Sequence, residues 1–254
     1  MNYKTQNPYT NFLIDLAARA ADLVKHGISE VHEKTPHDYV TNIDVEVEKF
    51  CISEIKKHYP AFGIVSEEEN ADKELTDNCF IIDPIDGTNN FLNGLPYWCI
   101  QLAAMAGGKL VGSAIFIPSV NEMYYAALGE GAFLNGNKIK VSSKKFDDCL
   151  YFFETQVIHR GRDKILNEYA KQNGYFRKIG SIGVVSAQVA AGRYGGGIMI
   201  STATPYWDAL PGKFLCDEAG GKTYYDHSKC LICANTPEML TFLKDGFDKH
   251  FIPK

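Results

Sequence analysis

Residues 81–88 read Ile81-Ile82-Asp83-Pro84-Ile85-Asp86-Gly87-Thr88, and the rest of the chain is best approached from them. Two carboxylates three residues apart emerge from an apolar run, and the proline between them has no N–H with which to continue a sheet ladder. Paired carboxylates on an oxygen-rich turn suit a hard cation such as Mg2+, which takes oxygen ligands and keeps several waters. The N–H groups of Gly87 and Thr88 begin a new segment, where unpaired donors favour an anion such as phosphate. Glycine also lets a ligand approach the backbone closely. A plainer alternative stands beside this: Asp-Gly is a common turn dipeptide, and the segment then only reverses the chain. An EF-hand is excluded, because counting from Asp83 the third, fifth and sixth loop positions hold Ile85, Gly87 and Thr88.

Other acids stand at element ends. Ser66-Glu67-Glu68-Glu69 follows the apolar run Phe62-Gly63-Ile64-Val65, which places carboxylates at the end of an expected strand. Such clusters also occur as ordinary solvated faces. Trp207-Asp208 opens an expected helix, where Asp208 also serves as a simple complement to the helix dipole. Asp44, in Thr41-Asn42-Ile43-Asp44, has the same double reading.

The remaining elements follow from rhythm. Phe12/Leu13, Leu16/Ala17, Ala20 and Leu23/Val24 predict an amphipathic helix stopped by Gly27. Residues 42–59 predict a second helix, capped by Asn42 and followed by Pro60. Short apolar runs broken by Gly, Pro, Asn or Asp then predict consecutive strands, with a tight turn at Asn135-Gly136. Beyond about residue 142 strands and helices alternate: strands at 150–155, 175–180, 196–201 and 230–235, helices at 161–173, 181–192, 205–221 and from Thr236-Pro237 onward. Gly195-Gly196-Gly197 lacks the ending of a P-loop and reads as a flexible turn. The expected organisation is one packed unit over 1–254, with an N-terminal α+β subdomain (1–142) and a C-terminal α/β subdomain (143–254).

Composition narrows the function classes. The 254 residues are 45% hydrophobic and 22% charged, which is ordinary globular usage. Twenty-six basic against 31 acidic residues leave a net charge of −5, and no long basic run argues for direct nucleic-acid binding. No apolar stretch approaches the ~18 residues of a membrane span, and the start lacks the pattern of a secretory signal. A soluble, cytoplasmic protein is expected. Seven cysteines, an odd number, point to reduced thiols. Cys230 and Cys233 fall in an expected buried strand, on opposite faces, with no partner motif to complete a zinc site.

Taken together, Asp83-Pro-Ile-Asp-Gly-Thr-Asn-Asn-Phe91, the preceding Ser66-Glu67-Glu68 and Trp207-Asp208-Ala-Leu-Pro-Gly212 resemble the signatures of the inositol monophosphatase family. These are Mg2+-dependent, lithium-sensitive phosphomonoesterases in a superfamily with fructose-1,6-bisphosphatases. The likeness extends to 38–44, 129–136, Gly180-Ser181 and 217–221. It implies a layered α-β-α-β-α sandwich, two or three Mg2+ ions and a homodimer. It assigns Glu67, Asp83, the Ile85 carbonyl, Asp86 and Asp208 to metal, with Asp83 bridging two ions and Asp44 near a third. Glu67 and Thr88 would activate water, and the Gly87 and Thr88 amides would hold phosphate. Gly180, Ser181, Ser201, Asp86 and Asp208 fall on the phosphate and substrate side, and Lys34 lies near a mobile-loop lysine.

The departures are mainly on that substrate side. Ser201 stands where inositol-specific members usually carry glutamate, Ser66 replaces a glycine, and Pro211 replaces an alanine, tolerable in a first helical turn. Arg160, Arg162, Arg177, Lys178 and Arg193 either form a solvated surface or hold a second phosphate. Fructose-1,6-bisphosphate, histidinol phosphate and nucleotide phosphates therefore stay open beside inositol phosphate, as does a non-enzymatic role through partner proteins.

Overall fold

The computed structural model describes residues 3–35, 38–145, 148–155, 162–171, 175–201 and 204–251. Helix α1 (Pro8–Leu23), the hairpin β1 (Val31–Thr35) and β2 (Asp38–Thr41), and helix α2 (Asn42–His58) come first. Strands β3 (Gly63–Ser66), β4 (Cys79–Asp86), β5 (Cys99–Ala106), β6 (Lys109–Ile117), β7 (Glu122–Ala127), β8 (Gly131–Leu134) and β9 (Asn137–Ile139) follow and lie in that order in one sheet. Only β3 and β4 run parallel; the later neighbours are antiparallel. A short helix, α3 (Thr88–Leu92), leaves the end of β4.

A second sheet uses β10 (Leu150–Thr155), β11 (Tyr175–Arg177), β12 (Gly196–Ile200), β13 (Lys222–Asp226) and β14 (Cys230–Ala234), in the order β11-β10-β12-β14-β13. Between the sheets lie α5 (Ile182–Ala190) and α6 (Tyr206–Glu218); outside the second sheet lie α4 (Arg162–Ala170) and α7 (Pro237–His250). The result is the expected layering: α1 and α2, sheet, α5 and α6, sheet, α4 and α7.

Each interface is apolar for a reason visible in the chain. Leu13, Leu16, Ala17 and Ala20 recur at helical spacing and are fully buried, together with Ile43, Val47 and Ile55 of α2, against Phe80, Ile82, Ile100 and Leu102. Phe80 centres an aromatic cluster, with ring centroids 5.7 Å from Phe12, 5.1 Å from Tyr59 and 5.4 Å from Phe62. Val185, Val189, Leu215 and Phe214 fill the space between the sheets, and Ile198, Ile232, Leu243 and Phe247 the space beneath α4 and α7. All seven cysteines are buried and free. Cys230 and Cys233 belong to different cores, on opposite faces of β14.

Four local expectations need correction. The cap of α2 is Thr41 rather than Asn42: the Thr41 hydroxyl accepts from Ile43 and Asp44 N–H, while Asp44 accepts the Thr41 N–H at 2.9 Å, a reciprocal capping box. The Asn42 side chain turns away and accepts from Ser29 N–H at 2.8 Å. Pro211 lies inside α6, beyond its first turn, so it cannot donate to the carbonyl of Trp207. Gly196 and Gly197 are strand rather than turn; a Cβ on Gly197 would fall 2.3 Å from the Phe152 carbonyl oxygen of neighbouring β10. The hairpin β1–β2 and strand β13 were not anticipated, because half-exposed polar strands such as Lys222-Thr-Tyr-Tyr-Asp226 carry no apolar alternation. Asn135-Gly136, by contrast, is the turn expected, with φ of 48° and 86° joining β8 to β9.

Truncating Phe80 to alanine should lower unfolding free energy by about 3–5 kcal/mol, read from urea denaturation. A loss below about 1 kcal/mol would show that this cluster does not anchor α1 and α2 to the sheet.

Candidate active site

Asp83 pairs across the sheet with Gln101 and Asp86 with Cys99, so β4 uses one residue more than β5 between the two pairs. In a regular strand, residues three apart face opposite ways. The extra residue of this bulge brings Asp86 onto the face of Asp83, and Pro84, with no N–H to pair, lies inside it. The shared face looks toward α5 and α6, while Phe80, Ile82 and Ile85 pack the other way, against α1 and α2. Two acids thus sit on the inner side of the sheet at 1% and 8% exposure.

Neighbouring elements add more acids. Glu67 follows β3 directly, and its N–H donates to the Ile82 carbonyl at 3.3 Å, which sets it beside Asp83. Asp208 is the third residue of α6 and is 8% exposed. Burial holds Asp83 well above the usual carboxylate range, and the charges of Glu67, Asp86 and Asp208 push it further. Burial also moves Glu67 up to about 7, against the opposing pull of Lys34 and with added repulsion from Glu68 and Asp44. Lys34, from the β1–β2 hairpin, bonds Glu67 at 2.9 Å and Glu68 at 2.7 Å.

Asp86 is raised by burial, but four donors oppose that shift. The Ser181 hydroxyl and the Gly183 N–H each reach Oδ2 at 2.6 Å, the Ile182 N–H reaches Oδ1 at 3.3 Å, and the Cys99 thiol stands at 3.5 Å. The first turn of α5 therefore closes over this carboxylate. It approaches so closely because residue 183 is glycine: a Cβ there would lie 2.6 Å from Cys99 Sγ and 3.0 Å from Asp86 Oδ2.

Gly87 takes φ 95°, the left-handed region, and a Cβ would lie 2.9 Å from the Tyr97 carbonyl oxygen. From there the chain enters α3 with Thr88, whose hydroxyl lies 3.1 Å from Asp44 Oδ1 and 3.0 Å from the Ile85 carbonyl. Asp44 is fully buried and raised by burial, with Thr41 and Thr88 opposing. Glu67, Asp83, Asp86, Asp208, Thr88 and Asp44 thus converge from five segments.

Ser201 lies at the end of β12, 2% exposed, its N–H donating to the Lys229 carbonyl at 3.0 Å. Arg160 is outside the described residues, as is the side chain of Arg162. Arg177 donates to the Phe176 carbonyl. Arg193 binds Glu122 at 2.7 Å and also donates to Tyr124 and Gln188, so it braces β7 against the end of α5.

Glu154 is a residue that sequence reasoning missed. It is 5% exposed in β10 and accepts the N–H groups of Ile179 (2.5 Å) and Gly180 (3.1 Å), just before Ser181. Burial moves it up to about 7 in spite of both amides. A lone glutamate in Phe-Phe-Glu-Thr gives no sign of this, because its partners lie 25 and 26 residues away.

The donors suit a hard cation. All are oxygens, and Asp83 Oδ1 is buried with no hydrogen-bond partner, an arrangement that is costly unless a cation faces it. Among the described residues no three acidic, histidine or cysteine side chains already close on one point. Lys34 occupies Glu67 and the α5 donors occupy Asp86, so a cation would have to draw the carboxylates together.

The family signature described as "Inositol monophosphatase family" matches residues 5–240, and the chain belongs to that family. An inositol-1-monophosphatase of Rhizobium meliloti is 34% identical over 223 residues, 83% of each chain. A Nus factor SuhB of Pasteurella multocida is 31% identical over 227 residues, 85% of this chain and 84% of that one. A Thermotoga maritima IMPase superposes with a TM-score of 0.83 at 30% identity, covering 94% of this chain and 98% of its own. An IMPase/NADP phosphatase complexed with Mg2+ and phosphate gives 0.78 at 26%, covering 92% and 91%.

Gly183→Ala should destabilise the fold by about 1–3 kcal/mol, and adding Cys99→Ala should recover part of the loss by removing the nearest atom. Urea midpoints of the single and double variants test this; no recovery would mean the clash lies elsewhere. Glu154 favours its neutral form in the fold, with a folded pKa of about 7 against an ordinary 4.5. Its contribution to stability is therefore full below the lower value and lost as pH rises through the upper. Against Glu154→Gln, which does not titrate there, the difference in unfolding free energy should fall by up to about 3 kcal/mol across that window. A difference that stays flat with pH would contradict it.

Proposed function

We propose that the chain is a Mg2+-dependent phosphomonoesterase that hydrolyses a small polyol or sugar phosphate, with inositol monophosphate the leading substrate. The observation that carries this reading is Asp83: a buried carboxylate with one unpartnered oxygen, crowded by Glu67, Asp86 and Asp208. Family membership and the inositol-1-monophosphatase relative support it, as does a structural neighbour that holds Mg2+ and phosphate. Glu67, Asp83, the Ile85 carbonyl, Asp86 and Asp208 are the residues that would hold two ions, with Asp44 beside a third. When bound, Mg2+ supplies a Lewis acid for the phosphoryl oxygens and lowers the pKa of water.

The chain's own residues then have distinct tasks. Glu67, set beside Asp83 at the end of β3, would accept the proton of the attacking water. The Thr88 hydroxyl, which donates to Asp44 or the Ile85 carbonyl, keeps lone pairs for the attacking water. The N–H groups of Gly87 and Thr88, at the start of α3, orient the phosphate. Gly180, Ser181, Ser201 and the Asp86 and Asp208 carboxylates stand on the side of the leaving alcohol. No covalent phospho-enzyme is needed. Lithium sensitivity, a cytoplasmic location and a homodimer complete the reading; among the described residues no helix is long and apolar enough to cross a membrane.

The similarity to a Nus factor SuhB favours a second reading, in which the protein acts through a protein partner without turnover. Within catalysis, fructose-1,6-bisphosphatase, histidinol-phosphatase and nucleotide phosphatase activities are the alternatives.

Phosphate release from a panel of inositol, sugar, histidinol and nucleotide phosphates separates these. Turnover should require Mg2+, cease with EDTA and fall with lithium. Asp83→Asn should lower kcat at least about 100-fold, the loss of a few kcal/mol of transition-state stabilisation. Intact Mg2+ binding with no turnover on any substrate would favour the partner-protein reading, and an absence of Mg2+ binding would remove the metal reading itself.

A further inference from the structure

Glu48 has no part in the chemistry described above, yet it is among the most enclosed acids of the molecule, with 0% exposure. It lies one turn after Asp44 on the buried face of α2, in a stripe otherwise made of Ile43, Val47, Cys51, Ile52 and Ile55. An apolar side chain would avoid the desolvation cost at such a position. Its oxygens are instead filled by one short segment. Ser66 Oγ donates to Oε1 at 2.7 Å, the Glu69 N–H donates to Oε1 at 2.6 Å, and the Glu68 N–H donates to Oε2 at 2.8 Å. These donors flank Glu67 on both sides, and among the described residues no cation pairs with Glu48.

We propose that Glu48 is a positioning residue for Glu67: its carboxylate fixes the main chain of Ser66–Glu69 to α2 and so keeps the Glu67 side chain facing Asp83. The inference rests on the reading of Glu67 as metal ligand and proton acceptor. Two holds act on this segment together. Lys34 bonds Glu67 and Glu68 from the β1–β2 hairpin, while Glu48 anchors the backbone from beneath. Because α2 also carries Asp44, which bonds Thr88, a single helix sets the spacing between Glu67 and Thr88. Two acids at i and i+4 lie on one helix face, so that spacing is as rigid as the helix itself.

Glu48→Gln tests the role with little change in shape. A carboxamide turns two N–H donors toward donors already in place, either at Glu68 or at Ser66 and Glu69. Outer partners of metal ligands typically change affinity or activity by about 10- to 100-fold. The variant should therefore lose kcat in that range on the best-hydrolysed phosphate of the panel, with KM changed by less than about threefold. Its Mg2+ dissociation constant, measured by calorimetry, should rise over the same range, and hydrogen exchange at the Glu68 and Glu69 amides should accelerate. Ile55→Val, a core change on the same helix, should lower Tm without moving kcat or Mg2+ affinity. Unchanged kcat, Mg2+ affinity and exchange in Glu48→Gln would overturn the proposal, as would an equal kcat loss in the Ile55 control.

Should Glu48→Gln fail to fold, Ser66→Ala removes a single bond to Glu48 and should shift all three readouts in the same direction by a smaller factor; no shift overturns the proposal. A wild-type protein that neither binds Mg2+ nor turns over would sink the phosphatase reading instead. Exchange at Glu68 and Glu69 would still decide whether Glu48 holds the segment.

Discussion

A β-strand alternates its side chains, and alternation would send Asp83 and Asp86 to opposite sides of the sheet. The bulge between them removes that separation. Once both acids share a face, much else follows from electrostatics. Two carboxylates buried side by side repel, and burial itself disfavours the ionised form, so each needs donors or a cation. Asp86 obtains four donors from α5 and Cys99; Asp83 obtains one, from Gln101, and retains an unpartnered oxygen. The difference between the two aspartates is the difference between a carboxylate held on both oxygens by protein donors and one with a buried oxygen that has none.

The layered architecture delivers the supporting parts to that face. The parallel pairing of β3 with β4 carries Glu67 to the level of Asp83, because both strands end on the same edge of the sheet. The first turns of α5 and α6, held between the two sheets, supply donors to Asp86 and place Asp208 respectively. From the opposite side, α2 reaches past the end of β4 with Asp44. Farther away, Glu218 at the end of α6 accepts the N–H groups of Gly129 and Gly131 at 3.1 Å, which ties the middle layer to the β7–β8 turn. The site is therefore a property of the stacking, with no single loop sufficient to build it.

Much of this was legible in the chain. Helix α1 announced itself through period and a glycine stop, because an amphipathic helix writes its buried face into the sequence. Asp83 and Asp86 were conspicuous as acids in an apolar strand, and Trp207-Asp208 as an acid at a helix start. Features that depend on distant partners were not legible. Glu48 and Glu154 look like ordinary helix and strand glutamates, and their roles appear only when segments 18 to 26 residues away supply N–H and O–H groups. Arg193 was grouped with potential phosphate-binding arginines, but its partner Glu122 lies 71 residues away. Pro211 was assigned to a first turn, but it is the sixth residue of α6, which begins at Tyr206, and lay beyond the first turn even on the expected start at residue 205.

By itself the sequence determined most of the local elements, the apolar faces that must pack, and which acidic and hydroxyl residues are candidates for the chemistry. These are consequences of periodicity and side-chain type, which act over a few residues. The tertiary structure alone decided which acids share a face, which of them receive donors, and which helix holds each in place. Those outcomes rest on contacts between segments far apart in the chain. A carboxylate's charge, reach and partners are set by whatever burial brings beside it, and no short window of sequence contains that information.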